Sequence, residues 1–565
     1  MLSLDLYVLV LQQIPAHRTE SEGVLTLVNC LQAGNSELRE AALLGTLWKS
    51  HYQVRYLHSE QDSESRLRAR CNSNWRLMYA ERRRQDNVAL GFLEEILLHR
   101  EGRYQIAATL ASMSMDIWDA LEISIAVPTL FGGTVASAAP YALTRQYWAE
   151  AILETISRRF AILQWGRLIN ETGGSVSFVE AFSSLSCFFG KPPLEMHSHL
   201  SALGNACQEY LIKHNQVHSD LPDICSSICQ FMHEQGFGAV EPSRFYDISN
   251  HFPHLYLTTN KRSIPISLVH IFVSIARHLG ISASPVEFPG RVLAHVSSPA
   301  GSDDFLVDVY ASDTKAIVSL RNDVPRMLGR FGISPDHMFQ YVSPCGASPM
   351  LLRAARNILA SFRNDASRST AQSAIYAAVC IHLLLTNATH MLSHLDLDPL
   401  YCATFLADMQ PLLRHGGQHQ LANACGIAMD LEEQEATLVH SRTAQTQVAH
   451  YVGMVFEHKT YQYIGCITGW DTSCSATAEW QMNMNVHKLP HGADQPFYHV
   501  LSLDGGQRYV AEDNVNPRAL TADLAAQFFK EVPAIRRYFS GALCFPDSRR
   551  GKFLPKPRDP TGISR

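Results

Sequence analysis

Residues 452–471 read "VGMVFEHKTYQYIGCITGWD". Apolar and polar side chains alternate along this stretch, aromatic and β-branched residues dominate it, and glycines stand at 453, 465 and 469. A period of two wound onto a helix would scatter the apolar residues round its circumference. The stretch therefore predicts strands, at about 452–458 and 462–470. A second pair, at about 497–503 and 507–511, flanks Asp504-Gly505-Gly506, a tight-hairpin signal. Strands this short among glycines predict a small barrel rather than an open sheet with exposed edges.

Nearly everything before this module has helical spacing. "NWRLMYAERRRQDNVALGFLEEILLHR" carries charge on one face, and "YWAEAILETISRRFAILQWGRLI" has a strong apolar face. "FGGTVASAAP" at 131–140 reads as a loop or a tight helix–helix contact. With 565 residues and 46% hydrophobic content, the chain can bury several cores. The net charge of −6 gives no global basic excess for nucleic acid. Thirteen irregularly spaced cysteines read as reduced thiols in a cytoplasmic or nuclear protein. The opening "MLSLDLYVLVLQQIP" lacks a basic n-region and contains Asp5, against a signal peptide. No apolar run is long enough for a membrane span, and the sequon at Asn387 reads as chance. The fold class expected is multidomain and mainly α, with an α+β core and a C-terminal small all-β barrel.

"LDLYVLVLQQIP … LTLVNCLQAGNSELREAALLGTLWKSHY" sets three short helices ahead of Leu47-Trp48. This order resembles an F-box, although Leu2-Ser3 stands where the family usually has Leu-Pro. The resemblance implies docking onto a Skp-type adaptor of a cullin ubiquitin ligase, apolar side chains filling a groove on the partner. Leu4, Leu11, Ile14 and Trp48 are the candidate contacts.

"IPISLVHIFVSIARHLGISASPVEFPGRVLAHV … FLVDVY" resembles the transglutaminase-like core of the SirB type. Active members place Cys at a helix start, His on a following strand and Asp on the next. A helix N-terminus lowers the thiol pKa, His takes the proton and Asp orients the His. Here Ser267 is the nearest hydroxyl to the helix start, Arg291 replaces the His, and Asp308 keeps the third position. Arg cannot act as a base. His295, four residues on, is the candidate substitute. This degenerate set favours a binding remnant over an enzyme, and function has to be argued from the site. Cys225, Cys229 and His233 share a helix face but lack a second ligand pair, so they read as core packing. With no HExxH, Walker loop or dinucleotide fingerprint, neither metal nor cofactor is expected.

The terminal module resembles the YccV/HspQ family, named for hemimethylated-DNA binding. The resemblance rests on Gly453, His458, Tyr463, Gly465, Trp470-Asp471, Gln495 to Leu501 and Tyr509 to Asn514. F-box, SirB-type core and this module together resemble the F-box-only protein 21-like group. Residues 446–515 hold three Lys/Arg and seven Asp/Glu, a net −4. DNA affinity leans on phosphate neutralisation, so this count favours a protein partner. His458, Tyr463, Trp470, Tyr498 and His499 form the candidate binding surface. The expected layout is an F-box-like domain at 1–60, a helical linker at 61–174, the core at 175–345, helices at 346–445, the barrel at 446–517 and a basic tail at 518–565. Residues 529–565 carry nine Lys/Arg against three Asp/Glu, with prolines that predict an extended end. The function expected is that of a non-catalytic substrate-recognition adaptor. The alternatives are DNA binding through module and tail, or residual acyl transfer by Ser267, His295 and Asp308.

Overall fold

The computed structural model describes residues 3–19, 22–98, 103–125, 142–170, 176–298, 303–311, 316–362, 368–386, 408–415, 417–420, 422–423, 427, 447–532, 534–544 and 551–555. The segment 131–140, the sequon at Asn387 and much of the later part of the helical stretch expected at 346–445 fall wholly or largely outside them. The chain divides into two compact units, Met1–Ile156 with Glu433–Arg565, and Ser157–Glu432. Among the described residues no helix is long and apolar enough to cross a membrane.

The first unit opens with helices α1 (Leu4–Leu11), α2 (Glu22–Leu31), α3 (Ser36–Leu43) and α4 (Trp48–Arg55). Asn35 caps α3, its side chain accepting from the N–H groups of Glu37 and Leu38. Helices α5 (Gln61–Arg70), α6 (Trp75–Leu98), α7 (Arg103–Ser112) and α8 (Trp118–Ile125) follow. The expected boundary at residue 60 cuts through a single core. Leu11, Leu27, Trp48, Tyr52 and Tyr56 pack with Leu67, Cys71, Met78 and Tyr79. The charged face of α6 is also partly internal, because Arg82 and Asp86 are buried.

The C-terminal module of this unit has strands β7 (Val455–His458), β8 (Ile464–Asp471), β9 (Phe497–Ser502), β10 (Gln507–Ala511) and β11 (Val515–Pro517). They are numbered in chain order after six strands of the second unit, given below. The sheet is antiparallel in the order β10-β9-β8-β7-β11. Three residues, Glu512–Asn514, join the two outermost strands. Such a short link requires the sheet to curl into a barrel-like form. One face packs Phe456, Ile467, Tyr498 and Val500. The other packs Val455, Cys466 and Leu501 beneath Leu520, Phe528, Phe529, Ile535, Phe539 and Phe553.

Those covering residues belong to the stretch expected as an extended tail. It folds instead into helices Ala522–Glu531 and Ile535–Tyr538 and a hairpin of β12 (Phe539–Leu543) with β13 (Lys552–Pro555). Gly453 makes the closure possible. It sits at φ +91°, and a Cβ there would lie 2.3 Å from the Phe553 carbonyl oxygen.

The second unit runs through α9 (Ala142–Asn170, its latter part), α10 (Phe178–Ser183), α11 (Pro193–Lys213), α12 (Leu221–Glu234), α13 (Pro253–Tyr256) and α14 (Pro265–His278). A two-residue parallel pair, β1 (Gly238–Ala239) with β2 (Arg262–Ser263), precedes α14. The antiparallel sheet β3 (Ala283–Val286), β4 (Leu293–Val296), β5 (Phe305–Val307) and β6 (Ile317–Ser319) follows it. Helices Ala347–Phe362 and Arg368–Leu385 complete the main core. The helix-then-sheet order is the one the transglutaminase-like resemblance implies.

Candidate functional site

The degenerate catalytic positions in the second unit are occupied but not assembled. Ser267 lies in the first turn of α14, fully buried, and its hydroxyl donates to the Asn250 carbonyl at 2.6 Å. His295, on β4, sits opposite Leu306, with Nε2 3.4 Å from Asp304 Oδ2. Burial lowers its pKa, against the pull of Asp304. Arg291 Nη1 lies 3.1 Å from Asp308 Oδ2, so an ion pair stands where a His–Asp pair would work. Burial raises the Asp308 pKa, and Arg291 opposes it. Among the described residues no hydrogen bond links Ser267, His295 and Asp308 into a relay.

Cys225 is core, Cys229 packs partly buried against it, and His233 is exposed, so the stripe on α12 is no ligand set. Burial pushes the Cys229 thiol up, with Cys225 and Asp308 adding to the effect. That is the reverse of an activated nucleophile. Sequence reasoning passed over His270, set in the apolar run of α14. Its Nδ1 accepts from the Tyr256 hydroxyl at 2.9 Å and its Nε2–H donates to the Val179 carbonyl at 3.1 Å. Burial depresses its pKa to about 4.

The four expected adaptor contacts face inward. Leu11 and Trp48 are buried, while Leu4 and Ile14 pack half-buried against the same core. The Trp48 indole N–H donates to the Ala42 carbonyl at 2.9 Å, and its ring meets Tyr79. Helix α1 is apolar nearly all round, so periodicity could not assign its faces. The outward face carries Leu6, Leu9 and Val10, exposed by 47, 56 and 58%. Their i, i+3, i+4 spacing makes one stripe. Leu43 and Leu44, at the end of α3, are also exposed.

The same unit holds a buried charged network. Arg55 of α4 pairs with Asp86 of α6 at 2.8 Å. Arg82 donates to the carbonyls of His58 and Asp116 at 2.8 and 3.0 Å. Burial alone would raise Asp119, but the N–H groups of His58 and the charge of Arg18 hold its carboxyl low. His58, Asp119 and Glu122 bring ligand atoms within 4.8 Å of one another. Arg18 pairs with both acids and supplies their counter-charge.

In the β module the five expected ligand residues divide. His458 is buried, and its Nδ1 accepts from the N–H groups of Thr460 and Tyr461, both at 3.1 Å. It shapes the β7–β8 turn. Tyr498 is buried, its hydroxyl donating to Glu512 and accepting from the His450 N–H. Tyr463 lies half-buried under the Arg508 guanidinium, 4.1 Å from the ring centroid, and Trp470 packs on the inner core. His499 alone of the five is exposed. Its Nε2 lies 3.3 Å from Asp471, which also accepts from the hydroxyls of Tyr509 at 2.6 Å and Ser475 at 2.9 Å.

Residues 448–542 match the family described as hemimethylated DNA-binding protein YccV like, and residues 195–356 match the transglutaminase-like superfamily. The first match runs past the boundary expected at 517, as the folded tail requires. The chain is similar to proteins named F-box only protein 21. It is 27% identical to the one from Pongo abelii over 315 residues, 52% of this chain and 48% of the relative. With the Mus musculus protein the identity is 27%, and with the Homo sapiens protein 26%, each over 322 residues, 52% of this chain and 49% of the relative. The chain spans about half the length of these curated relatives. No solved structure matches it.

Proposed function

We propose that the chain is the substrate-recognition adaptor of a Skp–cullin–F-box ubiquitin ligase, acting in the cytoplasm or nucleus. The observation that carries the reading is the solvent-facing stripe Leu6, Leu9 and Val10 on a helix otherwise anchored in a core. Water-exposed apolar residues at this spacing fit a helix-in-groove contact, and similarity to proteins named F-box only protein 21 supports the assignment. A Skp-type adaptor docks there and links the chain to a cullin scaffold. The transglutaminase-like core and the β module gather protein substrate. The core does no acyl transfer, because Ser267 is sealed and Arg291 holds Asp308.

Co-purification with a Skp-type adaptor tests this. The double variant Leu9→Glu/Val10→Glu should abolish capture while leaving thermal stability nearly unchanged, since both side chains are already exposed. Retained capture by this variant, or no capture by the unaltered chain, sinks the proposal.

A second reading, DNA binding by the module, gains one observation. Residues 516–555 hold seven Lys/Arg and three Asp/Glu, so residues 446–555 together sum to zero where 446–515 alone sum to −4. Gel shift against duplex DNA at rising salt decides it. A steep salt slope supports phosphate contacts, and no shift at low salt removes the reading.

A further inference from the structure

The sheet of the β module has a free edge at β10. Its ladder parity follows from two hydrogen bonds. Ser502 N–H donates to the Gly506 carbonyl and Glu512 N–H to the Pro496 carbonyl, both at 2.9 Å. Hydrogen-bonded pairs alternate in an antiparallel ladder. With Arg508 opposite Val500 and Tyr509 opposite His499, Arg508 and Val510 face β9. The backbone N–H and C=O of Gln507 and Tyr509 therefore point away from the sheet. Among the described residues they have no hydrogen-bond partner. Gln507 is exposed and Tyr509 half-buried.

The outer face beside this edge is also open at His499, while Trp480 and Ser475 of the β8–β9 insertion pack on the neighbouring Tyr509. Gly469, His499 and Tyr509 lie side by side across β8, β9 and β10. The cap formed by the C-terminal helices reaches Leu501, and the β8–β9 insertion packs on Phe497. His499, between those two positions, is left uncovered. The β-bulge between Ile467 and Gly469 sets the row, and bulges recur where a sheet re-aims side chains at a site. The walls are acidic. Asp471 lies in the row's flank, Asp504 is half exposed at the hairpin tip where it pairs with Arg508, and residues 446–515 carry net −4, the balancing positive charge lying in the cap segment 516–555.

We propose that β10 takes up an extended, lysine-rich segment of a protein partner as a sixth strand, its alternate side chains falling over the His499–Tyr509 row. Backbone groups of Gln507 and Tyr509 supply affinity, and the acidic surroundings supply selectivity for positive charge. The role of that segment as a ubiquitination substrate rests on the adaptor reading. Strand addition is measured without the adaptor, so the two can fail separately.

The experiment uses the full chain and a fluorescent ten-residue peptide of alternating lysine and valine. Two controls are the glutamate–valine counterpart and the lysine–valine peptide N-methylated at alternate residues. The lysine–valine peptide should bind and slow amide exchange at Gln507 and Tyr509. The methylated peptide should bind at least about tenfold more weakly, the loss expected from two or three hydrogen bonds, and the glutamate–valine peptide should also bind more weakly because the acidic surroundings repel it. Gln507→Pro removes an outward N–H but no ladder bond, and should weaken binding to a similar degree at unchanged melting temperature. Equal binding of the methylated peptide overturns strand addition whatever the variant does, and absence of binding by the lysine–valine peptide does the same. Displacement by duplex DNA as readily as by unlabelled peptide replaces it with a phosphate-binding surface.

Discussion

Phe553→Ala separates a folded C-terminal segment from an extended basic tail. Phe553 is fully buried, with ring centroids of Phe528, Phe529 and Phe539 within 5.6 Å. Its N–H donates to the Gly453 carbonyl at 2.9 Å, joining β13 to the start of the module. Truncating a buried phenylalanine to alanine costs about 3–5 kcal/mol, from lost transfer energy and the cavity left behind. If β7 and β8 open together with the cap, amide exchange in residues 452–471 should accelerate by roughly 10² to 10⁴-fold. Hydrogen exchange with mass spectrometry on the full chain reads those peptides separately from the rest. Phe553→Leu, which keeps most of the volume, should cost less than about 1.5 kcal/mol. Exchange within about threefold of the unaltered chain, under 0.7 kcal/mol, would refute the reasoning and return the segment to a solvated tail.

Gly453→Ala should destabilise the same peptides by at least about 2 kcal/mol, from the positive φ and the clash with the Phe553 carbonyl; an unchanged exchange pattern would contradict the packing. The second unit should lose stability on mild acidification. His251, His254 and His270 are depressed by burial to about 3, 4 and 4, with Lys191 adding to the effect at His254. Their neutral forms favour folding, so this stability is complete above the unfolded value near 6.5 and falls as pH drops towards 4. At pH 5 each costs about 2 kcal/mol relative to pH 7, while Asp408, raised to about 6 by burial, returns about 1. A urea midpoint for this unit that does not fall between pH 7 and pH 5 would rule out buried neutral histidines. Ser267→Ala should cost on the order of 1 kcal/mol in a thermal melt, and a serine-directed fluorophosphonate should leave Ser267 unlabelled; stoichiometric labelling would reopen the acyl-transfer reading.

Period-two alternation located four of the five strands of the β module, because their side chains divide between two faces. Strand β11 was missed, since Val515–Pro517 is too short to show a period and contains a proline. The tail was misread because charge was counted without spacing. Phe528, Phe529, Val532 and Ile535 carry its packing, while the positive charges that define its composition need no place in the core. The adaptor contacts were misassigned for another reason. In "LDLYVLVL" every face of the helix but that of Asp5 is apolar, and only the docking of α1 on its neighbours separates Leu11 from Leu9. In the transglutaminase-like core, sequence alone identified Arg291 and Asp308 as a mismatched pair, and the structure joins them.

The boundary expected at residue 60 failed where charge pattern is least informative. A run such as "AERRRQD" reads as a solvated face, yet Arg82 and Asp86 pass inward to meet Arg55, His58 and Asp116. Burying such groups is a poor source of stability. Asp86 is raised to about 6 by its own desolvation, even with Arg55 and Arg82 beside it. What the network gains is geometry, because each guanidinium fits one set of carbonyls and carboxylates. Helix α4 and the loop carrying Arg18 are thereby fixed against α6 and α8 without a flexible joint. An adaptor has to hold its docking face at a set angle to the rest of its own fold. A buried ionic joint provides that where a more stable but less directional hydrophobic one can slip, so the cost in stability and the proposed function point the same way.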